Sequence, residues 1–228
     1  MRAILGIGNP GNSYSNTRHN IGFMLLDYFA RKENLSFKAS KKDYFYALGE
    51  SDSSPFVLIK PSTYVNLSGT AAKNALAQFG IEIEDLLVVC DDINLQTAQL
   101  RIKPSGGDGG HNGVSSIIYH LESDKFPRLR FGIGRNFQPG QMADYVLSPF
   151  SKDEFALLEQ SFESGSQLLK AFISGGLKSA LDYYSKSQKD SKPADTEARK
   201  SDQPKTVNPD GPEPKASGPL KPENPDTH

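Results

Sequence analysis

The chain has 228 residues, 36% of them apolar, and a formal net charge of −1. This balance gives no global signature of nucleic-acid binding, and no apolar run approaches the roughly 18–20 residues needed to span a bilayer. A single cysteine, Cys90, excludes disulfides within the chain and fits a reducing compartment; with no signal-peptide pattern before the first strand, the expected location is cytoplasmic.

The predicted elements alternate. The run Ala3-Ile4-Leu5-Gly6-Ile7-Gly8 predicts a buried strand over 2–8, ended by the turn Asn9-Pro10-Gly11. A helix follows near 20–33, with Phe23, Leu26, Phe29 and Ala30 on one face. Residues 44–50 and 55–60 read as two strands of a hairpin, and Pro61 breaks the second. A helix over 67–80 closes on Gly80. The continuous apolar run 86–90 predicts a strand covered on both faces. A short strand over 99–103 leads through a glycine-rich loop, 104–112, to a helix near 113–122, and residues 128–134 alternate as a strand. Ser151 with Glu154 three residues later forms a capping box for a helix over 152–174, which Gly175-Gly176 interrupts before a last short helix reaches Ser185. From Lys186 onward there is no aromatic residue, and eight of the fifteen prolines fall there. The expected organisation is therefore one domain over 1–186 and a disordered tail over 187–228. The domain is expected to be an α/β three-layer sandwich, with a central mixed, mostly parallel sheet flanked by helices.

Ligands of open α/β sheets sit at the carboxyl ends of strands. Polar residues gather after several of these strands: Asn9 and His19 after the first, Asn66 after the second hairpin strand, Asp91 after 86–90, and His111-Asn112 after the glycine loop. If the sheet is parallel about its centre, they share one edge. A histidine there can act as a base near neutral pH, with a carboxylate to orient it. Taken singly, each residue has a plainer reading: a loop histidine, turn asparagines, a capping aspartate. The glycine loop lacks the Gly-Lys-Ser/Thr ending of a P-loop, which argues against a nucleotide triphosphatase. Four histidines and one cysteine show no metal-ligand spacing, so no metal and no cofactor are expected. Between residues 101 and 135, Arg101, Lys103, Lys125, Arg128, Arg130 and Arg135 outnumber Asp108, Glu122 and Asp124, a local excess of positive charge.

In their joint order these stretches resemble bacterial-type peptidyl-tRNA hydrolase. They are Gly6-Ile7-Gly8-Asn9-Pro10-Gly11 with Tyr14, Thr17-Arg18-His19-Asn20-Ile21-Gly22-Phe23, Lys60-Pro61-Ser62-Thr63-Tyr64-Val65-Asn66-Leu67-Ser68-Gly69, Asp91-Asp92-Ile93, Gly109-Gly110-His111-Asn112-Gly113 and Arg128-Leu129-Arg130-Phe131-Gly132-Ile133-Gly134-Arg135. The resemblance covers about residues 1–185. It departs from the family pattern at Val65, where methionine is usual, at Asn94, where aspartate is commoner, and at Asp108 in the glycine loop. It implies a monomeric, metal-independent enzyme that hydrolyses the ester between a peptide and tRNA, recycling prematurely released peptidyl-tRNA. It also implies roles. His19 is the catalytic histidine, Asp91 its orienter, and Asn9 a catalytic amide. Tyr14, Tyr64, Asn66 and Asn112 bind substrate, and Lys103 and Arg130 grip tRNA phosphates. The alternative is a non-catalytic RNA-binding protein of the same fold, like a plant plastid intron-splicing factor that resembles this family. A small-molecule esterase would account for His19 but not for the basic stretch.

Overall fold

Ala3, Ile4 and Leu5 are fully buried, as a central strand requires, and the computed structural model, which describes residues 1–190, places them in β1 (Arg2–Gly6). After the Asn-Pro-Gly turn, a 3-10 turn over Arg18–Asn20 leads straight into α1 (Ile21–Lys32). The short β2 (Lys38–Ala39) precedes the hairpin of β3 (Tyr44–Ser51) and β4 (Ser54–Pro61). α2 (Ser68–Phe79) ends on Gly80 in the left-handed conformation, as expected of a helix C-terminus. Then come β5 (Leu86–Asp92), every residue buried, β6 (Leu100–Lys103), α3 (Asn112–Leu121), β7 (Arg128–Gly132), a short α4 (Met142–Val146) and α5 (Lys152–Asp190). The capping box at the start of α5 forms: the Ser151 N–H donates to the Glu154 carboxylate at 2.7 Å, and the Glu154 N–H donates to Ser151 Oγ at 3.2 Å.

The described residues form a seven-stranded sheet in the order β2-β3-β4-β1-β5-β7-β6. The four central strands, β4, β1, β5 and β7, are parallel, while β2, β3 and β6 join antiparallel at the edges. One face packs on α1 and α5 through Ile4, Leu58, Leu87, Val89, Leu129 and Phe131. The other packs on α2 and α3 through Leu5, Val57, Ile59, Val88 and Cys90. That is the expected three-layer α/β sandwich.

Two expectations need correction. β6 runs antiparallel to β7, with Lys103 opposite Arg128, so the glycine loop begins at the far edge of the sheet and climbs back to the near edge before α3 starts. The buried Arg128 holds that climb, donating to the carbonyls of Gly107 and Asp124. The final helix continues to Asp190, past Ser185 where the last short helix was expected to stop, after a break at Gly175-Gly176 where Gly176 has φ 65°. The rest of the expected tail, residues 191–228, lies outside the described residues. Among the described residues no helix is long and apolar enough to cross a membrane.

Gly22, in the first turn of α1, sets the distance between that helix and the sheet. A Cβ there would stand 2.6 Å from the carbonyl oxygens of both Ile7 and Val89, which are backbone and cannot turn aside. Gly22→Ala should therefore push α1 off β1 and β5 and destabilise the fold by about 1–3 kcal/mol, measured by urea denaturation; an unchanged midpoint would refute the close-packing account.

Candidate active site

The carboxyl ends of the parallel strands gather most of the predicted residues, though not Tyr14 or Lys103. Asn9, His19, Tyr64, Asn66, Asp91, His111, Asn112 and Arg130 line one cleft of about 440 Å³. Its far wall is apolar, formed by Met142, Ala143, Val146 and Leu147 of α4 and the residue after it.

Asp91 is the centre of the site. It sits near the end of β5 with its side chain only 4% exposed, and a buried carboxylate needs donors. Two arrive at the same oxygen. His19 Nδ1 lies 2.8 Å and His111 Nε2 2.9 Å from Asp91 Oδ1. The tautomer of His111 follows from its other nitrogen. Nδ1 accepts the N–H groups of Gly113 and Val114 at 3.1 and 3.4 Å, capping α3, so the proton must be on Nε2. At His19 the carboxylate holds the proton on Nδ1, which leaves the Nε2 lone pair on the cleft side with no partner among the described residues. Burial lowers the His19 pKa, but the Asp91 charge and hydrogen bond outweigh it, and the net shift is upward from 6.5. Burial would raise the Asp91 pKa, yet attraction to His111 and His19 and their hydrogen bonds hold the carboxyl well below the usual range.

The same three side chains are the group that could ligate a cation. Nitrogen–oxygen separations of 2.8 and 2.9 Å fit a shared proton; an ion about 2.0–2.2 Å from each atom would spread them further apart. Cys90 also borders the cleft, but burial, with the Asp91 charge, pushes its thiol up to about 12, which leaves it a poor nucleophile.

Asn9 is more constrained than its sequence position suggested. Its Oδ1 accepts the Val65 N–H at 3.0 Å, which orients the amide and leaves the Nδ2 donors uncommitted for a ligand. Its backbone is clamped by Asn20: the Asn9 N–H donates to Asn20 Oδ1 at 2.8 Å, and Asn20 Nδ2 donates to the Asn9 carbonyl at 2.9 Å. Asn66 and Asn112 are exposed on the cleft wall. Tyr64 lines the cleft, while Tyr14 lies outside it and meets the Tyr64 ring edge-on at 6.4 Å. Arg130 reaches the cleft, paired to Asp92 at 3.2 Å. Lys103 does not: it stands level with Val88 through Arg128, about 10 Å back from Asp91 at the rise of a strand. The register still unites the two predicted RNA contacts. Arg101 faces Arg130 and Lys103 faces Arg128, which puts four basic side chains on one face of the sheet edge. Asp108 lines the cleft with its carboxylate accepting the Gly110 N–H at 2.7 Å.

Sequence reasoning gave no role to Asn20, Arg18 or His111. Arg18, beside the base, is buried between Tyr145 and Phe150 and bonds both Glu154 carboxylate oxygens at 2.9 and 2.8 Å. It anchors the segment carrying the apolar wall to the turn carrying His19. Its partners lie more than 120 residues away in the chain, and no local signal announces them.

A family model described as peptidyl-tRNA hydrolase matches residues 3–192. The peptidyl-tRNA hydrolase of Clostridium beijerinckii is 39% identical over 185 residues, covering 81% of this chain and 95% of its own length. That of Bacillus subtilis is 38% identical over 174 residues, covering 76% and 93%. Among solved structures, peptidyl-tRNA hydrolase from Acinetobacter baumannii superposes with a TM-score of 0.76 at 29% identity, over 80% of this chain and 93% of its own.

The raised pKa of His19 depends on Asp91. In an NMR titration its imidazole should inflect above 6.5, and Asp91→Asn should bring that inflection down. An inflection that stays in place in the variant would mean that the carboxylate does not set it.

Proposed function

The chain belongs to the peptidyl-tRNA hydrolase family, and on that premise we propose how its own residues divide the reaction. The enzyme hydrolyses the ester between a peptide and tRNA and releases both. The observation that carries the assignment of roles is the Asp91–His19 contact of 2.8 Å at Nδ1, in a His19 that lines the cleft.

Water is the nucleophile. Neutral His19 takes its proton at Nε2 as the oxygen attacks the ester carbonyl, and Asp91 stabilises the imidazolium that forms. His111 shares the load on Asp91 and keeps it ionised. Asn9 donates through Nδ2 to the carbonyl oxygen and then to the oxyanion of the tetrahedral intermediate. The proton held by His19 returns to the departing ribose oxygen. Asn66 and Asn112 pair with peptide amides, which every peptide offers whatever its side chains, and Tyr64, braced by Tyr14, borders the same arm. A free α-ammonium meets these groups badly, and a buried mismatch costs about 1–3 kcal/mol, a physical basis for sparing aminoacyl-tRNA.

No step needs a metal, and the spacing of His19, Asp91 and His111 supports hydrogen bonds to an ionised Asp91 without one. The enzyme is read as a cytoplasmic monomer. Its catalytic unit ends near residue 190 instead of 186, a boundary supported by the family match to residue 192. Arg130 and Lys103 hold RNA phosphates along the basic face, Arg130 near the ester and Lys103 further out.

His19→Ala should lower turnover of an N-blocked aminoacyl-tRNA by about 10²–10⁴-fold while tRNA binding persists. Because the neutral imidazole is the active form and its pKa is raised, kcat/KM should climb with pH through an inflection above 6.5 and then level off. Activity that falls across that range would refute the base assignment. Arg130→Ala and Lys103→Ala should raise KM for full-length tRNA and flatten its salt dependence, leaving short blocked aminoacyl fragments nearly unaffected by Lys103→Ala. An equal loss on both substrates would remove Lys103 from the RNA track.

A further inference from the structure

The Arg130 guanidinium is already occupied. Its Nη1 lies 3.2 Å from Asp92 Oδ2, and the two side chains are unequally exposed, 25% for Arg130 and 5% for Asp92. Asp92 cannot swing away. It is the last residue of β5, and its other oxygen accepts the Asn94 N–H at 2.9 Å, fixing the turn that follows. Arg130 is the more exposed partner and lines the cleft. The pair is therefore a buried, held anion and an accessible cation at the place where RNA phosphate is proposed to bind.

We propose that Asp92 is an intramolecular competitor for the tRNA phosphate, set beside the catalytic Asp91 to keep the affinity of Arg130 for RNA low enough for the product tRNA to leave. The inference rests on Arg130 being a phosphate ligand. A phosphate must displace Asp92 or share the guanidinium with it, and either arrangement subtracts part of the attraction. The neighbouring charges make such a brake useful. Arg101 and Lys103 are exposed on the same face, so without an opposing anion three cations, Arg130 among them, would hold a polyanionic product. Asp108 does not fill the role as directly, since the ion pair of Arg130 is with Asp92. The pair lines the same cleft as His19 and Asp91, so its reach is to the acceptor end of the RNA, where release of deacylated tRNA must follow cleavage.

Removing the charge while keeping the turn isolates the effect. Asp92→Asn retains an oxygen for the Asn94 N–H, and Asp92→Ser does so with a hydroxyl if the first variant folds poorly. The test is the dissociation constant of deacylated tRNA, measured by fluorescence anisotropy at several salt concentrations for the full chain. The variants are D92N, D92S, R130A and D92N/R130A. The charge-removed single variants should bind tRNA about 3- to 10-fold more tightly than the unsubstituted protein, with a steeper salt slope and stronger product inhibition in turnover assays. R130A should bind more weakly, and adding D92N to it should restore little. If R130A weakens binding while D92N and D92S leave it unchanged or weaker, the competitor role is overturned and Arg130 remains a phosphate ligand. If D92N tightens binding equally in the R130A background, the effect is general charge and the proposal fails. If R130A leaves tRNA binding intact, the assignment of Arg130 itself falls, and the competitor with it.

Discussion

A carboxylate buried at the end of a buried strand is the constraint on which the site depends. Asp91 belongs to β5, which is covered on both faces, and an ionised group there costs several kcal/mol unless donors meet it. Two imidazoles supply them at one oxygen. Each imidazole is thereby fixed in tautomer and orientation, and each carries a second obligation. His111 closes the N-terminus of α3 with its remaining nitrogen, while His19 keeps its own free toward the cleft. One buried charge thus fixes a helix start and the direction of a lone pair.

The surrounding polar groups follow the same logic, in which using one atom decides what another can do. Val65 takes the oxygen of the Asn9 amide and so makes Asn9 a donor; Asn20 holds the Asn9 backbone from both sides so that the donor points one way. The close approach of α1 to the sheet at Gly22 brings the His19 turn within hydrogen-bond reach of Asp91. Arg18 binds that turn to α5 through Glu154 and to the segment bearing the apolar wall through Tyr145. The base, its orienter and the opposite side of the cleft are therefore held in one connected set of contacts, the kind of pre-organisation that lets a charge develop without reorganising its surroundings.

Electrostatics outside the cleft are organised by strand register. The basic residues of 101–135 have no helical or local spacing that would unite them. Antiparallel pairing of β6 with β7 brings Arg101 to Arg130 and Lys103 to Arg128, and the period of two keeps all four on one face. Burial then separates their duties. Arg128 holds the glycine loop by its carbonyls, and the exposed members remain for RNA.

The sequence by itself determined the elements, because hydrophobic period, glycine and proline punctuation and the Ser151–Glu154 capping box are local signals. It also determined which polar residues would meet at the carboxyl edge, since parallel central strands leave that edge as the place where their following loops converge. The tertiary structure alone decided the direction of β6, and with it the route of the glycine loop and the distance of Lys103 from the base, because an edge strand of this length can pair in either sense. It alone decided the second donor to Asp91, the orientation of the Asn9 amide, the anchoring of Arg18 and the pairing of Arg130 with Asp92. These are hydrogen bonds and ion pairs between side chains mostly distant in the chain, and a group's chemical role is set by which of its atoms the fold has already used.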